Sequence, residues 1–333
     1  MIWLSDSIAV LKCAEEIGLH YKFYKPTVDH FRLDSPYQSH PAASGAVGDP
    51  DEEEALQEPG GTGEALDLLA LSELKHVVKP KYQDHSSGAG VDLFDTLIKN
   101  LDDVERLATV YNARVVIPRR SSFLMSDVTR LQPLLADLPE NGYDCIVMDP
   151  PWENKSAKRS KHYPTLPSRH LLSIPIKRLL NQECGVLALW VTNRERLRRF
   201  VEQELLPHWG LEEVATWFWL KITDSGQLVS PLEVAHRRPY EALVLARPRS
   251  TASGAAGGEQ RGQIPDMVFL AVPGQHSRKP HLGRLLTRHL PPQPACLEMF
   301  ARELAAGWTS WGNEALRFQT TDCFTKCEPA DSY

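Results

Sequence analysis

The sequence predicts a doubly wound, mostly parallel α/β sheet over residues 111–320, preceded by an N-terminal helical extension. Short, continuously apolar segments alternate there with amphipathic segments of helical period. A chain of 333 residues is also long enough to bury one large domain and a smaller addition. Because strand–helix alternation favours parallel pairing, we expect ligands to bind beyond the carboxyl ends of the strands.

The elements of this domain are predicted from their apolar patterns. Strands are predicted over residues 114–117, 144–148, 185–191, 214–222, 240–246, 267–272 and 295–300. Residues 194–208 and 281–290 have the one-sided apolar pattern of surface helices. Residues 251–262, rich in Gly, Ala and Ser, are expected to form a surface loop between two strands.

Four segments flank the predicted domain. Residues 1–35 are predicted to form a helix followed by an aromatic segment. Residues 36–66, rich in Pro, Gly, Ser and acidic residues, are typical of a disordered linker. Residues 67–110 carry leucines at helical spacing, which predicts a helical lead-in, and residues 321–333 form a tail.

The net charge of −6 does not exclude a nucleic-acid partner. Residues 42–66 contain seven acidic residues and no Lys or Arg, so the remainder of the chain carries a net charge of +1. Basic residues occur there in clusters, which can create local positive potential.

Composition also bears on compartment and metal binding. No apolar stretch reaches the roughly 20 residues of a membrane helix, and the first residues lack a secretory pattern. The six cysteines are scattered, which is typical of reduced thiols. We therefore expect an intracellular protein. Within the cell we favour the nucleus, which composition does not decide, over the cytoplasm and mitochondria. Cys323 and Cys327 lack a second ligand pair, so no metal site is expected.

The segment Asp149-Pro150-Pro151-Trp152 directly follows the apolar strand predicted at 144–148. An exocyclic amine is a poor nucleophile because its lone pair is delocalised into the ring. The Asp149 carboxylate and the Pro150 carbonyl could accept its two N–H groups, and the prolines would make the turn stiff. Trp152 offers a flat face for a base extruded from its stack. The alternative is a turn that ends a strand, with a buried tryptophan.

Around this segment the sequence resembles the MT-A70 adenine N6-methyltransferases, and within them a branch associated with adenosine in small nuclear RNA. The resemblance covers roughly residues 110–320. It is carried by residues 122–128, 149–160, 236–241, 297–302 and 307–314.

This resemblance implies a Rossmann-like sheet in permuted order and S-adenosylmethionine as cofactor. Ser126, Asp127 and Val128 would lie at the cofactor's adenine, and Asp149 would contact its methionine ammonium as well as the target amine. The ribose hydroxyls would be held by three residues of the last matching segments, Arg302, Asn313 and Glu314, with Glu298 beside them. Asp149, Pro150, Pro151 and Trp152 would form the catalytic turn.

Several of these assignments have alternatives. Glu298 and Arg302 could form a salt bridge, and Asn313 could be a turn residue after Gly312. Where catalytic relatives carry His and Asn, the sequence has Leu304 and Ala305, so the groups for the cofactor carboxylate are undetermined. Glu314 also stands where some relatives have Gln.

Basic residues beside the catalytic turn predict contact with a nucleic-acid backbone. The predicted contacts are Asn154, Lys155, Lys158, Arg159, Lys161, Arg237 and Arg238. A solvated loop is the alternative for the first group. The arginines of 194–199 and the pair Arg278 and Lys279 are further candidates with the same alternative.

The sequence therefore predicts an S-adenosylmethionine-dependent adenine N6-methyltransferase. The resemblance favours RNA, such as 2′-O-methyladenosine in small nuclear RNA, and leaves DNA open. The alternatives are a non-catalytic, nucleic-acid-binding subunit of a methyltransferase complex, and a methyltransferase for protein or small molecules. We expect a monomer or a weakly associating protein without membrane contact.

Overall fold

The computed structural model describes residues 69–70, 93–110, 113–153, 167–232, 238–249, 262–274 and 278–324. The segments predicted for 1–35 and 36–66 lie outside the described residues, as does most of the tail predicted for 321–333.

Twelve strands are described, in chain order: β1 (Leu69–Ala70), β2 (Leu97–Lys99), β3 (Arg106–Val110), β4 (Ala113–Ile117), β5 (Ser122–Leu124), β6 (Cys145–Met148), β7 (Val186–Val191), β8 (Leu211–Lys221), β9 (Tyr240–Pro248), β10 (Met267–Ala271), β11 (Cys296–Met299) and β12 (Trp308–Trp311). Nine of them form one sheet in the order β10-β8-β9-β7-β6-β11-β12-β5-β2, and β1-β3-β4 form a small second sheet.

The large sheet is mostly parallel. Its centre, from β7 through β6, β11 and β12 to β5, is parallel throughout, and β10 is parallel to β8. The three antiparallel contacts are β8–β9, β9–β7 and β2–β5. The predicted Rossmann-like α/β class is confirmed. Every strand predicted from residue 114 onward is present within a few residues of its expected bounds.

The described helices are short. They are α1 (Gln132–Ala136), α2 (Ile176–Leu179), α3 and α4, together with 3₁₀ turns at Ser168–Ser173 and Thr321–Cys323. Helix α3 consists of an α-helical segment Glu195–Phe200, a π-helical turn Val201–Leu205 and a final α-helical turn Leu206–His208. Helix α4 consists of an α-helical turn Gly283–Leu286 followed by a 3₁₀ turn Thr287–His289. Both predicted helices are thus confirmed. None of the helices in the described ranges is long and apolar enough to cross a membrane.

The helical lead-in predicted for 67–110 is wrong for the residues described there. These residues contribute β1, β2 and β3. Short apolar runs do not distinguish a helix from a buried strand, and tertiary pairing decides between them. Leu97 and Ile98 are fully buried on β2, opposite Leu124 and Phe123 of β5.

The two faces of β6 pack into separate cores. Cys145 and Val147 face one core, the Trp190 face, whose other members include Trp190, Trp219 and Leu243. Ile146 and Met148 face the other core, the Trp152 face, whose other members include Trp152, Leu187 and Leu189. This alternation follows from the two-residue period of a strand. It also decides which side of the sheet receives the residue after Met148.

A glycine before β6 fixes the start of this strand. Gly142 has a φ of +81°, and a Cβ there would lie 2.8 Å from the carbonyl oxygen of Leu179. Gly226 has a φ of +80° with no atom within 4 Å of the same position. The two glycines therefore share a left-handed backbone and differ in the space around it.

We expect Gly142→Ala to lower the free energy of unfolding by about 2–4 kcal/mol, because backbone strain and overpacking add. Gly226→Ala, the matched control, should cost about 1 kcal/mol from backbone strain alone. Urea denaturation of both variants measures the difference. Equal losses would show that crowding at Gly142 is unimportant.

Candidate active site at the carboxyl edge of the sheet

The carboxyl ends of the parallel strands meet at one edge of the sheet, where a small cleft that is partly open to solvent lies on the Trp190 face. The cleft is lined by Val147, Asp149, Trp190, Arg278, Lys279, Pro280, His281, Leu282, Glu298, Phe300, Arg302, Glu303, Trp308 and Phe318. Ligands of open α/β sheets bind at such an edge. Of the predicted site residues, Asp149, Glu298 and Arg302 line this cleft.

Asp149 is the second residue after Val147, so it continues the same side of the strand into the cleft. Its carboxylate accepts from the ammonium of Lys279 at 3.1 Å, and the same ammonium lies 3.0 Å from the carboxylate of Glu241. Lys279 also lies over the Trp190 ring, 5.6 Å from the centroid. The predicted catalytic carboxylate is therefore half-buried and already paired with a cation.

Lys279 and its carboxylate partners each stabilise the charged form of the other. Burial by itself would lower the pKa of Lys279, but the carboxylates of Asp149 and Glu241 outweigh it and the pKa is raised. Burial likewise would raise the pKa of Glu241, but Lys279 and Lys221 outweigh it and the pKa is lowered. Both groups are accordingly charged at neutral pH.

The turn after Asp149 is held by two hydrogen bonds. The backbone N–H of Trp152 donates to the carbonyl of Pro150 at 2.7 Å, and Trp152 Nε1 donates to the carbonyl of Trp190 at 2.9 Å. Pro150 is buried and Pro151 is exposed. The carbonyl of Pro150 keeps a second lone pair, so its predicted role as an acceptor for an amine stays a prediction.

Trp152 packs in the core of the opposite face and is only 9 % exposed. Its ring is thus largely covered in this structure, as the alternative of a buried tryptophan expected. The structure shows an anchoring role for Trp152, whereas base stacking on its ring stays a prediction.

Glu298 lines the cleft on β11, beside Arg302 and Glu303. Burial, together with the negative charges of Glu303 and Asp149, raises the pKa of Glu298 to about 8. The charges of Arg302 and Arg278 offset this only in part. At neutral pH Glu298 is therefore mainly a neutral carboxyl group, which can donate as well as accept a hydrogen bond.

Aromatic and basic side chains form the adjoining wall of the cleft. The guanidinium groups of Arg278 and Arg302 lie 5.2 and 5.8 Å from the Phe318 ring centroid, and Arg278 forms an ion pair with Glu303. Phe300, directly after β11, has a φ of +61° and packs edge-on against Trp311 at 5.1 Å. A non-glycine residue in this conformation is strained, and such strain is commonly found at binding sites.

The remaining predicted cofactor residues lie outside the lining of this cleft. The hydroxyl of Ser126 donates to the carbonyl of Arg130 and accepts from Trp311 Nε1. Asp127 accepts from the N–H and the hydroxyl of Thr129, which lower its pKa. Val128 packs against the Trp152 face. Their predicted contacts with a cofactor adenine stay predictions.

Asn313 and Glu314 follow β12 and come directly after Gly312, whose backbone lies very close to that of Ala301. A Cβ on Gly312 would lie 2.5 Å from the carbonyl oxygen of Ala301, which explains the glycine there. Asn313 is exposed, and Glu314 forms an ion pair with Arg317 at 2.9 Å. Their predicted contacts with ribose hydroxyls also stay predictions.

Most predicted nucleic-acid contacts lie outside the described residues: Asn154, Lys155, Lys158, Arg159, Lys161 and Arg237. Arg238 is described, and it donates to the Tyr240 hydroxyl at 2.8 Å. Arg194 donates to the carbonyl of Glu153 at 2.6 Å, directly after the turn formed by residues 149–152.

The sequence did not predict the position of Lys279 between Asp149 and Glu241. It indicated this lysine only as one candidate contact with a nucleic-acid backbone, and it gave Glu241 and Trp190 no role in the site. The lysine and its partners are far apart along the chain, so only the topology brings them together. The available signal was position: Glu241 ends a segment that carried the family resemblance, and Trp190 lies near the carboxyl end of a predicted strand.

A mostly parallel sheet with an acidic Pro-Pro turn at its carboxyl edge defines a Rossmann-like fold of the methyltransferase type. The chain belongs to the MT-A70 family, whose model matches residues 143–314. The family predicted from the sequence is thereby confirmed. No group of three His, Cys, Asp or Glu side chains within the described parts of the chain could hold a metal ion.

Three curated relatives show the range of this similarity. The chain is 40 % identical to "N(6)-adenine-specific methyltransferase METTL4" of Homo sapiens over 79 % of this chain and 56 % of the human protein. It is 38 % identical to "N6-methyladenosine RNA methyltransferase MTA1" of Pyricularia oryzae, over 62 % of this chain and 55 % of the relative. It is 32 % identical to "DNA N6-methyl methyltransferase" of Caenorhabditis elegans, over 63 % and 55 %. The chain thus spans little more than half the length of these relatives.

The raised pKa of Glu298 predicts a pH-dependent stability. Because the folded-state pKa of about 8 exceeds the ordinary value of 4.5, the contribution of Glu298 is complete below about pH 4.5 and is lost as the pH rises through 8. Glu298→Gln mimics the neutral form. We expect it to be more stable than the wild type by on the order of 1–3 kcal/mol at pH 8, with the gap closing toward pH 5.

Urea denaturation at pH 5, 6.5 and 8 measures this gap, with the exposed Glu212→Gln as control. A gap for Glu298→Gln that is the same at all three pH values would contradict the assigned protonation.

Proposed function

We propose that the chain transfers a methyl group from S-adenosylmethionine to the N6 amino group of adenine in nucleic acid, with RNA preferred. The observation that carries this proposal is the Asp149 carboxylate, presented in the cleft by a stiff turn and paired with Lys279 at 3.1 Å. Membership of the MT-A70 family and the activities for which the relatives are named support it.

The residues of the cleft fit the cofactor's functional groups. Asp149 and Lys279 place an acceptor and a donor side by side, which matches the ammonium and carboxylate of an amino acid. Lys279 would supply the carboxylate contact that Leu304 and Ala305, both buried and apolar, cannot make. Glu298 and Arg302 offer hydrogen-bonding groups suited to ribose hydroxyls. When bound, S-adenosylmethionine supplies the electrophilic methyl carbon.

The chain's own residues would prepare the amine. The Asp149 carboxylate and the remaining lone pair of the Pro150 carbonyl would accept hydrogen bonds from its two N–H groups. These bonds would favour a pyramidal nitrogen, whose lone pair is no longer delocalised into the ring. Neither proline has an N–H that competes, and the hydrogen bonds of Trp152 keep the turn in place. Holding the nitrogen in line with the methyl donor would supply the rest of the rate.

The substrate polymer is proposed from the resemblance and the relatives. The Pyricularia oryzae relative is named as an RNA methyltransferase and the Caenorhabditis elegans relative as a DNA methyltransferase. We favour RNA, such as 2′-O-methyladenosine in small nuclear RNA, modified by a nuclear protein that acts as a monomer or in a weak assembly. Nucleoside mass spectrometry after incubation with matched RNA and DNA oligomers tests this preference, and methylation of DNA alone would refute it.

One sequence feature favours a second candidate, a non-catalytic subunit that binds nucleic acid. Leu304 and Ala305 stand where catalytic relatives carry polar residues. Calorimetric titration separates the two functions, because a scaffold should not bind S-adenosylmethionine even at millimolar concentration.

Asp149→Ala and the isosteric Asp149→Asn should reduce methyl transfer by at least about 100-fold, because both remove the charged acceptor from the amine. The residue lies on a half-buried turn outside the core, so both variants should fold, although loss of the ion pair with Lys279 should lower the thermal unfolding midpoint. Mass spectrometry of N6-methyladenine measures transfer. Substantial activity in either folded variant would refute the catalytic assignment.

Changing Lys155, Lys158, Arg159 and Lys161 together to Ala should weaken nucleic-acid binding and flatten its salt dependence. Each lost phosphate contact reduces the slope of log K against log salt concentration by about 0.7 for a single strand. Fluorescence anisotropy at several salt concentrations gives this slope. A slope equal to that of the wild type would remove these residues from the interface.

A further inference from the structure

Four charges of alternating sign form a string at the carboxyl edge of the sheet. Asp149 contacts Lys279 at 3.1 Å, Lys279 contacts Glu241 at 3.0 Å, and Glu241 contacts Lys221 at 2.5 Å. Asp149 and Lys279 line the cleft, whereas Glu241 and Lys221 are not among its lining residues. The described string has no net charge.

The sheet topology fixes this string. Trp217, Trp219 and Lys221 alternate onto the Trp190 face of β8, and Glu241 and Leu243 onto the same face of β9. Lys221 ends β8 at the edge where antiparallel β9 begins. Its backbone N–H donates to the carbonyl of Pro239 at 2.7 Å, and its carbonyl accepts from Val229 at 3.2 Å.

The side chain of Lys221 is also directed by its neighbours. Its ammonium lies 4.9 Å from the centroid of the Trp219 ring and donates to Glu241. With a side-chain exposure of 23 %, it is shielded from solvent to about the same degree as Glu241 at 24 %. Charge interactions are screened less at such half-buried positions than at exposed ones. Removal of Lys221 should therefore change the electrostatic interactions of Glu241 and, through it, of Lys279.

We propose that Lys221 is a positioning residue, which acts through Glu241 to keep the ammonium of Lys279 in the cleft, available to the carboxylate of S-adenosylmethionine. This inference rests on the proposed function and adds a residue to it. Glu241 lies between two lysines and shares its charge between them. Without Lys221, Glu241 has Lys279 as its remaining partner in the string and should draw that ammonium away from Asp149.

The experiment compares Lys221→Met, Lys221→Arg and Glu241→Gln with the double variant Lys221→Met/Glu241→Gln in the full chain. Calorimetry gives Kd for S-adenosylmethionine, and methyl-transfer assays give KM and kcat. We expect Lys221→Met to raise Kd and KM by roughly 2- to 30-fold, with kcat changed less than about twofold. Lys221→Arg keeps the charge and should stay within about twofold of the wild type in Kd.

The double variant tests whether Lys221 acts through Glu241. In the Glu241→Gln background, Lys221→Met should change Kd no further, because the connecting carboxylate charge is already absent. An equal loss in both backgrounds would overturn the proposal, as would a wild-type Kd in Lys221→Met. If Lys221→Met fails to fold, Lys221→Gln, which also removes the charge but keeps a polar side chain, replaces it in both backgrounds, and the same outcomes decide.

Lys99→Met is the matched control. Lys99 lies on β2, at the opposite edge of the sheet, and forms a similarly half-buried ion pair with Asp137. This variant should leave Kd unchanged, whereas a loss equal to that of Lys221→Met would show a general effect of stability and overturn the proposal. Absence of binding in the wild type would instead refute the proposed function itself, and with it this inference. The two failures are therefore distinguishable before any variant is compared.

Discussion

The site depends on the alternation of side chains along one strand that is buried on both faces. β6 sends Val147 into the Trp190 face and Met148 into the Trp152 face, so Asp149 must continue toward the cleft. A shift by one residue would exchange the two faces and place the carboxylate in the opposite core. Trp152 anchors the end of the turn on that opposite side. The position of the acidic group is therefore a consequence of packing on both faces of the sheet.

Charge pairing makes it possible to keep that carboxylate in a half-buried cleft. An isolated buried charge would be strongly disfavoured, but Asp149 is matched by Lys279, which is in turn matched by Glu241. Under the proposed function, Asp149 and Lys279 would exchange partners with the zwitterionic end of the cofactor, since each has the sign that the opposite group of an amino acid requires. Glu298 completes the cleft in a different way, because its raised pKa makes it a neutral donor and acceptor.

The sequence was sufficient to predict an element of the fold or the site where its pattern was local and strong. The apolar run of β6, followed by Asp149 and two prolines, predicted both the strand and the carboxylate at its end. The strands β5 and β12 were not predicted, because three or four residues that mix Ser and Thr with aromatic side chains have no clear period. The leucines before residue 110 gave a false helical pattern, because short apolar runs do not distinguish a helix from a buried strand. Lys279 could not be assigned, since its ion pairs join residues 130 and 38 positions apart.

The central claim is that Asp149 and Lys279 form a receptor for the zwitterionic end of the cofactor. The most direct measurement is calorimetric titration of the full chain with S-adenosylmethionine and with its decarboxylated analogue, which retains the amine and the sulfonium. We predict that the analogue binds at least about tenfold more weakly, because Lys279 then faces no carboxylate. Equal affinity for the two compounds would contradict the assignment of this ion pair.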